Sequence, residues 1–235
     1  MLYEDLEKMR NNKDIEGLIK NLNDTEDNKT REIAAYFIGD LGDAKAVDPL
    51  IKLLNDDHWP IRKAAALSLG RIGDKNAVDP LIRLLKDEYW HVREIAALSL
   101  GLIGDKKAVA PIIKALQDGC VNVKCEIVEA LADIGDKQAV EPLMEILKDK
   151  DYLLRACTAI SLGKLGDNRA IMSLVGSLND ESYLVRVNAA NALGNISDES
   201  ALPYLNAALK NSKGESQGFE DALREAITKL ENRKK

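Results

Sequence analysis

The stretch that decides the fold is residues 43–73, DAKAVDPLIKLLNDDHWPIRKAAALSLGRIG. Its pattern returns every 31 residues, and the clearest marker is a Gly-Asp pair that closes one copy and opens the next. The pair stands at Gly42-Asp43, Gly73-Asp74, Gly104-Asp105, Gly135-Asp136 and Gly166-Asp167, and it fades to Ser197-Asp198. Self-similarity at this period is typical of stacked repeats, which bury their apolar faces against each other rather than in one globular core.

Each copy predicts a helical hairpin. Asp43 is a favoured residue for a helix start, and Pro49 fits an early helical position because its missing N–H costs little there. Apolar residues then recur at i, i+3, i+4 and i+7, as one face of a helix requires: Val47, Leu50, Ile51 and Leu54. After a polar break, a second helix is expected from about Trp59 to Ile72, and Gly73 follows it as a C′ glycine.

The second helix keeps small residues at fixed positions. An alanine pair recurs, and so does a glycine inside the helix, at Gly39, Gly70, Gly101, Gly163 and Gly194, with Ala132 once in its place. Glycine costs roughly 1 kcal/mol against alanine in a helix interior, so its recurrence needs a steric reason. We expect a neighbouring helix or turn to approach closely there, and the one-per-helix spacing excludes a phosphate-binding loop.

An acidic and a basic residue six positions apart recur in the same register. The pairs are Asp56/Arg62, Asp87/Arg93, Asp118/Lys124, Asp149/Arg155 and Asp180/Arg186, and Asp24/Arg31 has one residue more between its members. A guanidinium group has five donors and suits a bridge to the carboxylate and the loop carbonyls of an adjacent repeat. These pairs therefore predict a partly buried ladder that fixes the register of neighbouring repeats.

The repeat resembles a known family. The pattern Asp-x-x-Ala-Val-x-Pro-Leu-Ile-x-Leu-Leu-x-Asp, then a loop and Val/Ile-Arg-x-x-Ala-Ala-x-x-Leu-Gly-x-Ile-Gly, is similar to the HEAT repeat, and more narrowly to the phycobilisome-lyase HEAT-like type. Residues 77–87 match it closely, and the likeness covers roughly residues 12–211. The resemblance implies an all-α chain: a right-handed α-solenoid, or α-α superhelix, of stacked helical hairpins.

The ends of the chain behave as caps. We expect one solenoid domain over 1–235, in which 1–11 is an N-terminal capping helix with an apolar stripe at Leu2, Tyr3, Leu6 and Met9. Residues 12–197 hold six 31-residue repeats, and 198–235 form a divergent C-terminal repeat whose last helix runs over about 219–231. Terminal repeats are atypical because one face meets water. The count is one single helix and seven hairpins.

Other positions of the second helix vary between repeats, and they form one stripe opposite the fixed face. The resemblance implies that second helices line the concave side of the solenoid, so the stripe would face a groove. Apolar residues across neighbouring repeats then predict either a protein-binding patch or burial against adjacent helices through curvature. The residues assigned to the groove are Tyr36, Leu67, Arg71, His91, Ile95, Leu98, Leu102, Glu126, Glu129, Asp133, Ile160, Asn188 and Asn191.

Two further groups border this stripe. The loop aromatics Trp59, Trp90, Tyr152 and Tyr183 share one position in the repeat, and we expect them to pack over the joint between repeats. Glu126, Glu129 and Asp133 are spaced i, i+3, i+7, so they form either a solvated acidic face or a site for a cation or a basic segment.

No metal or cofactor is predicted. Zinc sites usually draw on paired Cys or His at short spacing, which argues against a site formed by Cys125, Cys157 and Glu126, and the two histidines, His58 and His91, are too few for a metal cage. The uneven spacing of the three cysteines argues against a disulfide framework. The cysteine spacing, together with the absence of a signal peptide or a long apolar segment in the sequence, favours a cytoplasmic location.

Composition and motifs argue against several functions. The 235-residue chain has a net charge of −6, which disfavours nucleic acid and anionic membranes as partners. No catalytic residues are assigned, because the sequence has no nucleophile–base or nucleotide-binding constellation. Among enzymes of the resembling family, deoxyhypusine hydroxylase uses repeated His-Glu pairs, which are absent here, and no chromophore nucleophile of a bilin lyase is identifiable.

The sequence therefore predicts a noncatalytic scaffold that binds a peptide or a protein surface in its groove, as a monomer or weak homodimer. The alternative is a lyase-like accessory factor or chaperone for a cofactor-bearing protein.

Overall fold

The computed structural model describes residues 3–23, 27–196, 198–212 and 217–232. Within these ranges the regular elements are α-helices and short 3-10 helices. A single helix comes first, α1 (Tyr3–Asn11), and seven hairpins follow it. The first helices of the hairpins are α2 (Ile15–Leu22), α4 (Val47–Leu53), α6 (Val78–Leu84), α8 (Val109–Ala115), α10 (Val140–Ile146), α12 (Ile171–Ser177) and α14 (Leu202–Asn211). The second helices are α3 (Asn28–Leu41), α5 (Trp59–Ile72), α7 (Trp90–Ile103), α9 (Val121–Ile134), α11 (Tyr152–Leu165), α13 (Tyr183–Ile196) and α15 (Gln217–Asn232).

The chain divides into two compact units, Met1–Ala130 (unit 1) and Leu131–Lys235 (unit 2). In unit 1, α3 packs on α5 and α5 on α7, while α2, α4 and α6 each pack on the second helix of their own hairpin. In unit 2, α11 packs on α13 and α13 on α15 in the same manner. Each unit is thus a stack of helical hairpins, which confirms the predicted all-α solenoid class; the single-domain organisation over 1–235 stays a prediction.

The Gly-Asp pair joins one hairpin to the next. Gly42 and Gly73 follow their second helices with φ of 69° and 77°, a left-handed conformation that costs glycine little, and each N–H donates to a carbonyl of the helix's last turns. Asp43 and Asp74 then accept from the backbone N–H two residues on, at 2.9 and 2.8 Å, and open a 3-10 turn before the next first helix. The predicted stop and start signals are both confirmed.

The recurring glycine marks a close approach of two second helices, as predicted. A Cβ on Gly70 would stand 2.7 Å from the Cα of Ser99, and one on Gly163 would stand 2.7 Å from the Cα of Ala192. The partner position is itself small, and in α7 it adds a buried hydrogen bond, because Ser99 Oγ donates to the carbonyl of Ala66 at 2.8 Å. Sequence reasoning did not single out this partner position, although it holds only serine or alanine in the five repeats between residues 43 and 197: Ser68, Ser99, Ala130, Ser161 and Ala192.

The ladder exists, but its pairing differs from the prediction. Arg62 binds the carboxylate of Asp87, 25 residues later, with Nε and Nη2 at 2.7 and 2.9 Å. The residue six positions earlier offers only its backbone: Arg62 Nη1 donates to the carbonyl of Asp56 at 2.8 Å. The loop carbonyls therefore belong to the arginine's own repeat, and the carboxylate comes from the next one.

The same correction applies to two more of the predicted pairs. Arg155 binds the carboxylate of Asp180 at 2.7 and 2.8 Å, whereas Asp149, its predicted partner, accepts through its backbone carbonyl at 2.8 Å. Arg31 likewise pairs with the Asp56 carboxylate. Asp24, the predicted partner of Arg31, lies outside the described residues.

The predicted pair of Asp118 with Lys124 is corrected as well. Both oxygens of the Asp118 carboxylate are bound by Arg93 of the preceding repeat, at 2.5 and 3.0 Å, and Arg93 contacts only the carbonyl of its own predicted partner, Asp87, at 2.8 Å. Lys124 is half-buried on α9, and its positive charge helps to lower the pKa of Asp118. An ammonium group lacks the planar fork of guanidinium, so Lys124 cannot reproduce the two-pronged contact that arginine makes at this position in other repeats.

The last regular repeat keeps the carbonyl contact of the ladder. Arg186 Nη1 donates to the carbonyl of Asp180, its predicted partner, at 2.8 Å. The residue 25 positions after Arg186 is Asn211 rather than an aspartate. Position 211 therefore offers no carboxylate, whereas the equivalent position of the earlier repeats supplies an aspartate to the arginine.

Hydrogen bonds shift the pKa values of the aspartate and arginine side chains of the ladder. Burial raises the pKa of the Asp118 carboxyl, but the Arg93 guanidinium and the Cys120 N–H, which donates at 2.8 Å, together bring that pKa below its usual value. The Asp180 pKa is lowered by the same balance, with Arg155 and the Ser182 N–H as donors. The hydrogen bond from each arginine to its aspartate raises the pKa of Arg62, Arg93 and Arg155. Both partners are therefore charged at neutral pH.

A helix lies near each end of the described chain, at Tyr3–Asn11 and Gln217–Asn232, and the capping role of these ends stays a prediction. In α1, Leu6 is fully buried and Tyr3 packs edge-on against Phe37, with ring centroids 5.8 Å apart. The last helix, α15, begins at Gln217, two residues before the predicted start, and buries Phe219, Leu223 and Leu230. Some residues with predicted roles lie outside the described part of the chain: Leu2, Ser197, 213–216 and 233–235. No helix in the described part of the chain is both long and apolar enough to span a membrane.

Candidate protein-binding surface

The variable positions of the second helices form what is here called the second-helix stripe. In unit 1 it comprises Tyr36 on α3, Leu67 and Arg71 on α5, Ile95, Leu98 and Leu102 on α7, and Glu126 and Glu129 on α9. Arg71 Nη1 binds Asp40 Oδ1 at 2.5 Å, from α5 to the equivalent position of α3. Because residues 31 positions apart reach each other in this way, the stripe is continuous between these neighbouring helices.

The apolar part of the stripe in unit 1 is partly exposed. Leu102 is 51% exposed, and Leu67, Ile95 and Leu98 are half-buried. Ala64, which stands one repeat before Ile95, is fully buried, so the apolar strip does not include this position of α5. The packing therefore leaves an apolar strip that water still reaches. This exposure is intermediate between the two alternatives predicted from the sequence, which were an exposed protein-binding patch and burial against adjacent helices.

Polar residues flank this strip, and several already have partners. Arg71 is neutralised by Asp40, and both side chains are 42% exposed. Burial raises the pKa of the half-buried Tyr36, and the nearby Glu32 charge raises it further, so the phenol is neutral and can donate a hydrogen bond. On α9, Glu126 is half-buried and Glu129 is exposed.

An aromatic cluster lies beside the N-terminal ends of α5 and α7. The Trp59 ring stacks on Tyr89 and on His91 of the next repeat, with ring centroids 5.8 and 5.0 Å apart, and Lys63 Nζ lies 5.5 Å from the Trp59 ring centroid. This contact between repeats supports the predicted packing over the joint, and it places His91 in the cluster. Trp59 and Trp90 are the first residues of their helices rather than loop residues, and Tyr89, 41% exposed, was missed.

In unit 2 the stripe has a different chemistry. Ile160 on α11 is 54% exposed, Asn188 and Asn191 on α13 are half-buried, and a depression of about 370 Å³ lies among them. Glu225 and Lys229 of α15 complete its lining and form an ion pair at 3.2 Å. Sequence reasoning missed both residues, because α15 leaves the 31-residue register. Amides dominate here where apolar groups dominate in unit 1.

Asp133, the last member of the predicted acidic triad, lies in unit 2 and already has a partner. Its carboxylate is paired with Lys164, 31 residues later on α11. This pairing is compatible with a solvated face, and it leaves less uncompensated charge at Asp133 for a cation or a basic segment. The described residues contain no cluster of three or more His, Cys, Asp or Glu side chains that could bind a metal ion.

Comparison with solved structures places this architecture among known folds. The complex of CpcE and CpcF of phycocyanin lyase from Nostoc is similar, with 26% identity over 92% of this chain and 94% of that chain and a TM-score of 0.60. An engineered protein from the Northeast Structural Genomics Consortium shares 20% identity, covering 97% of this chain and 71% of that one, with a TM-score of 0.60. Escherichia coli YibA shares 21% identity, covering 97% and 96%, with a TM-score of 0.59. The last two show the fold only.

A search of curated protein sequences finds no match. A family model described as HEAT repeats matches residues 15–100, 78–156, 109–183 and 140–224, and together these matches cover most of the chain. The matched residues lie in the helical hairpins described above. They also agree with the resemblance of the repeat sequence to the phycobilisome-lyase HEAT-like type. The chain therefore belongs to the family of HEAT-repeat proteins.

Proposed function

We propose that this chain is a noncatalytic scaffold that binds a peptide or the surface of a partner protein on its second-helix stripe. The observation that carries the proposal is the strip around Leu102 in unit 1. Leucine and isoleucine side chains of α5 and α7 are half-buried or exposed there, and the stripe also carries the half-buried Tyr36 on α3 and the exposed Glu129 on α9. An apolar centre with polar groups at its rim is the usual composition of a protein-binding site.

Different parts of the stripe would contribute different interactions. Leu67, Ile95, Leu98 and Leu102 would supply the apolar anchors, and Glu126 and Glu129 would select a partner with basic residues. In unit 2, Asn188 and Asn191 with Ile160 offer donors, acceptors and one apolar contact, which suit the backbone of an extended peptide. The net charge of −6 argues against nucleic acid and anionic membranes as the partner. A monomer or weak homodimer located in the cytoplasm stays our prediction.

The test is capture of partners from a native lysate with the tagged chain, followed by mass spectrometry and by affinity measurement for each captured protein. Leu102→Glu and Leu98→Glu should each weaken binding about tenfold, or about 1.4 kcal/mol. Leu153→Glu is the matched control, because Leu153 is also an exposed leucine, at 42%, but lies off the stripe at the start of α11. Equal binding by all three variants would remove the stripe as the working surface.

A second function follows from the likeness to the phycocyanin lyase complex. The chain could act as an accessory factor or chaperone for a cofactor-bearing protein, since one of its structural neighbours is a complex of lyase subunits. Under this alternative, captured partners would carry a covalently attached chromophore or another cofactor. A visible absorption spectrum and a metal assay on the captured complex would separate the two functions.

A further inference from the structure

Two clefts lie at equivalent joints between first helices, one within each unit, and away from the second-helix stripe. In unit 1 a cleft of about 360 Å³ lies between α6 and α8, with Ile82, Leu85, Pro111 and Ala115 among its lining residues. In unit 2 a cleft of about 270 Å³ lies between α10 and α12, and it is lined by Met144, Leu147, Ser173 and Ser177. Each residue of the second set stands two 31-residue periods after its counterpart in the first.

One position of the repeat accounts for both clefts. Across the regular repeats between residues 43 and 197, the last residue of the first helix is Leu53, Leu84, Ala115, Ile146 and Ser177. Leu53 and Leu84 are buried, at 9% and 6% exposure, as we expect of side chains that fill the joint with the preceding first helix. Ala115 and Ser177 lack those carbon atoms, so each joint stays open where the small residue stands.

The two clefts differ in charge. Lys86 and Lys114, both exposed, stand at the edge of the unit 1 cleft, and within the described part of the chain neither forms an ion pair. The nearby Asp118 does not neutralise them, because its carboxylate is bound by Arg93. In unit 2 the equivalent positions are Lys148, which pairs with Glu145 at 3.1 Å, and Gly176. Only the unit 1 cleft therefore combines apolar walls with two uncompensated cations.

We propose that the unit 1 cleft binds a small amphipathic carboxylate, with its apolar tail between α6 and α8 and its carboxylate beside Lys86 and Lys114. The cleft volume falls within the range of about 300–1,000 Å³ that is usual for small-molecule sites. Leu84, at the same position of the preceding repeat, is buried, which favours a cleft confined to this joint over a groove that runs along several repeats. Two unpaired cations in a chain of net charge −6 favour an anion at this place.

Octanoate is a suitable probe, because it joins a seven-carbon tail to a carboxylate. Saturable binding of octanoate to the full chain is expected in ligand-observed NMR titrations. Ala115→Leu should abolish it, because this change restores the residue that fills the joint in two other repeats, and the fold should tolerate it for the same reason. Ser177→Leu makes the equivalent change in unit 2 and should leave octanoate binding unchanged.

The charge of the ligand is tested separately. Lys86→Gln combined with Lys114→Gln should weaken octanoate binding about fivefold at low salt, and neutral octan-1-ol should bind the wild-type chain more weakly than octanoate does. The proposal is overturned if octanoate shows no saturable binding, if Ala115→Leu retains it, or if octan-1-ol binds as tightly. A change in sedimentation coefficient with Ala115→Leu would assign the cleft to a second copy of the chain instead.

Discussion

The two arginines of α5 show how differently two faces of one helix behave. Arg62, on the ladder, has a side chain that is 10% exposed and donates to one carboxylate and to loop carbonyls, whereas Arg71, on the stripe, is 42% exposed and has a single carboxylate partner. The Arg62 position is basic in every regular repeat, while the Arg71 position changes to leucine, aspartate, lysine and asparagine. Repetition thus marks the positions that the joint between repeats requires, and variation marks the positions that it leaves open.

The largest expected effect concerns the joint itself, and Gly70→Ala measures it. The added Cβ would lie 2.7 Å from both Cα and Cβ of Ser99, so the two helices must separate, and we expect a loss of about 3 kcal/mol in the free energy of unfolding. Gly176→Ala is the matched control, because nothing lies within 4 Å of its added Cβ. That variant should be about 0.5 kcal/mol more stable, through helix propensity. Urea unfolding of both variants checks the difference, and equal effects would remove the close-approach explanation.

Arg62→Ala tests the ladder against the stripe on the same helix. Removing this guanidinium leaves the largely buried Asp87 carboxylate without its main partner, and a loss of about 2 kcal/mol is expected. Arg71→Ala breaks an exposed pair and should cost less than about 0.5 kcal/mol. Chemical denaturation of the two variants beside the wild type measures both numbers. If Arg62→Ala and Arg71→Ala lower the free energy of unfolding by similar amounts, the difference in burial between the ladder and the stripe has no effect on stability.

The pH dependence of stability sharpens the same comparison. The pKa of Asp118 in the folded chain is lowered, while in the unfolded chain it is about 3.9. The stabilisation from Asp118 is therefore complete above the unfolded value and is lost as the pH falls through the folded one. Asp118→Asn should lower the stability by about 1 kcal/mol at pH 7, and the difference from wild type should shrink below about pH 4. A constant difference in urea unfolding from pH 7 to pH 2.5 would contradict this assignment.

The smallest expected effect lies on the stripe. Leu102 is 51% exposed, so Leu102→Lys should change the free energy of unfolding by no more than about 0.5 kcal/mol. Circular dichroism and the thermal melting temperature check this result. A loss above about 2 kcal/mol would mean that Leu102 belongs to the core and that the apolar strip has no free surface.

Much of the fold could be predicted from the sequence, because the periodicity acts as an internal alignment. The hairpins, the glycine stops and the close approach at Gly70 all follow from positions that recur, each with a local physical reason. The helix α15 was harder to place, because it leaves the register, and the residues Glu225 and Lys229 beside Asn191 could not be found from the repeat.

The ladder shows what periodicity cannot decide. Arg62 stands six residues after Asp56 and 25 residues before Asp87, and the two spacings add up to one repeat. Because both spacings recur together from repeat to repeat, the pattern alone cannot tell a pair within a repeat from a pair between repeats. The three-dimensional arrangement of the helix ends is needed to show that the carboxylate bound by Arg62 belongs to the following repeat.

The candidate stripe was predictable in position but not in exposure. Spacing placed Leu98 and Leu102 on one face, yet Leu98 is half-buried and Leu102 is exposed, because exposure depends on how closely neighbouring helices pack. Pairings between repeats were equally hidden: the spacing of Asp133 did not reveal that Lys164, a full repeat later, is its partner.

The links between second helices have a mechanical consequence for unit 1. Neighbouring second helices are tied near their N-terminal ends by Arg62 and Asp87, and toward their C-terminal ends by the contact of Gly70 with Ser99. We expect two separated contacts to restrict the rotation of one second helix on the next, whereas the first helices α6 and α8 have an open cleft between them at Ala115. Under a stretching or bending load, we therefore expect unit 1 to yield on the side of its first helices, while the spacing of its second helices hardly changes. Filling the cleft would then stiffen the unit against such a load.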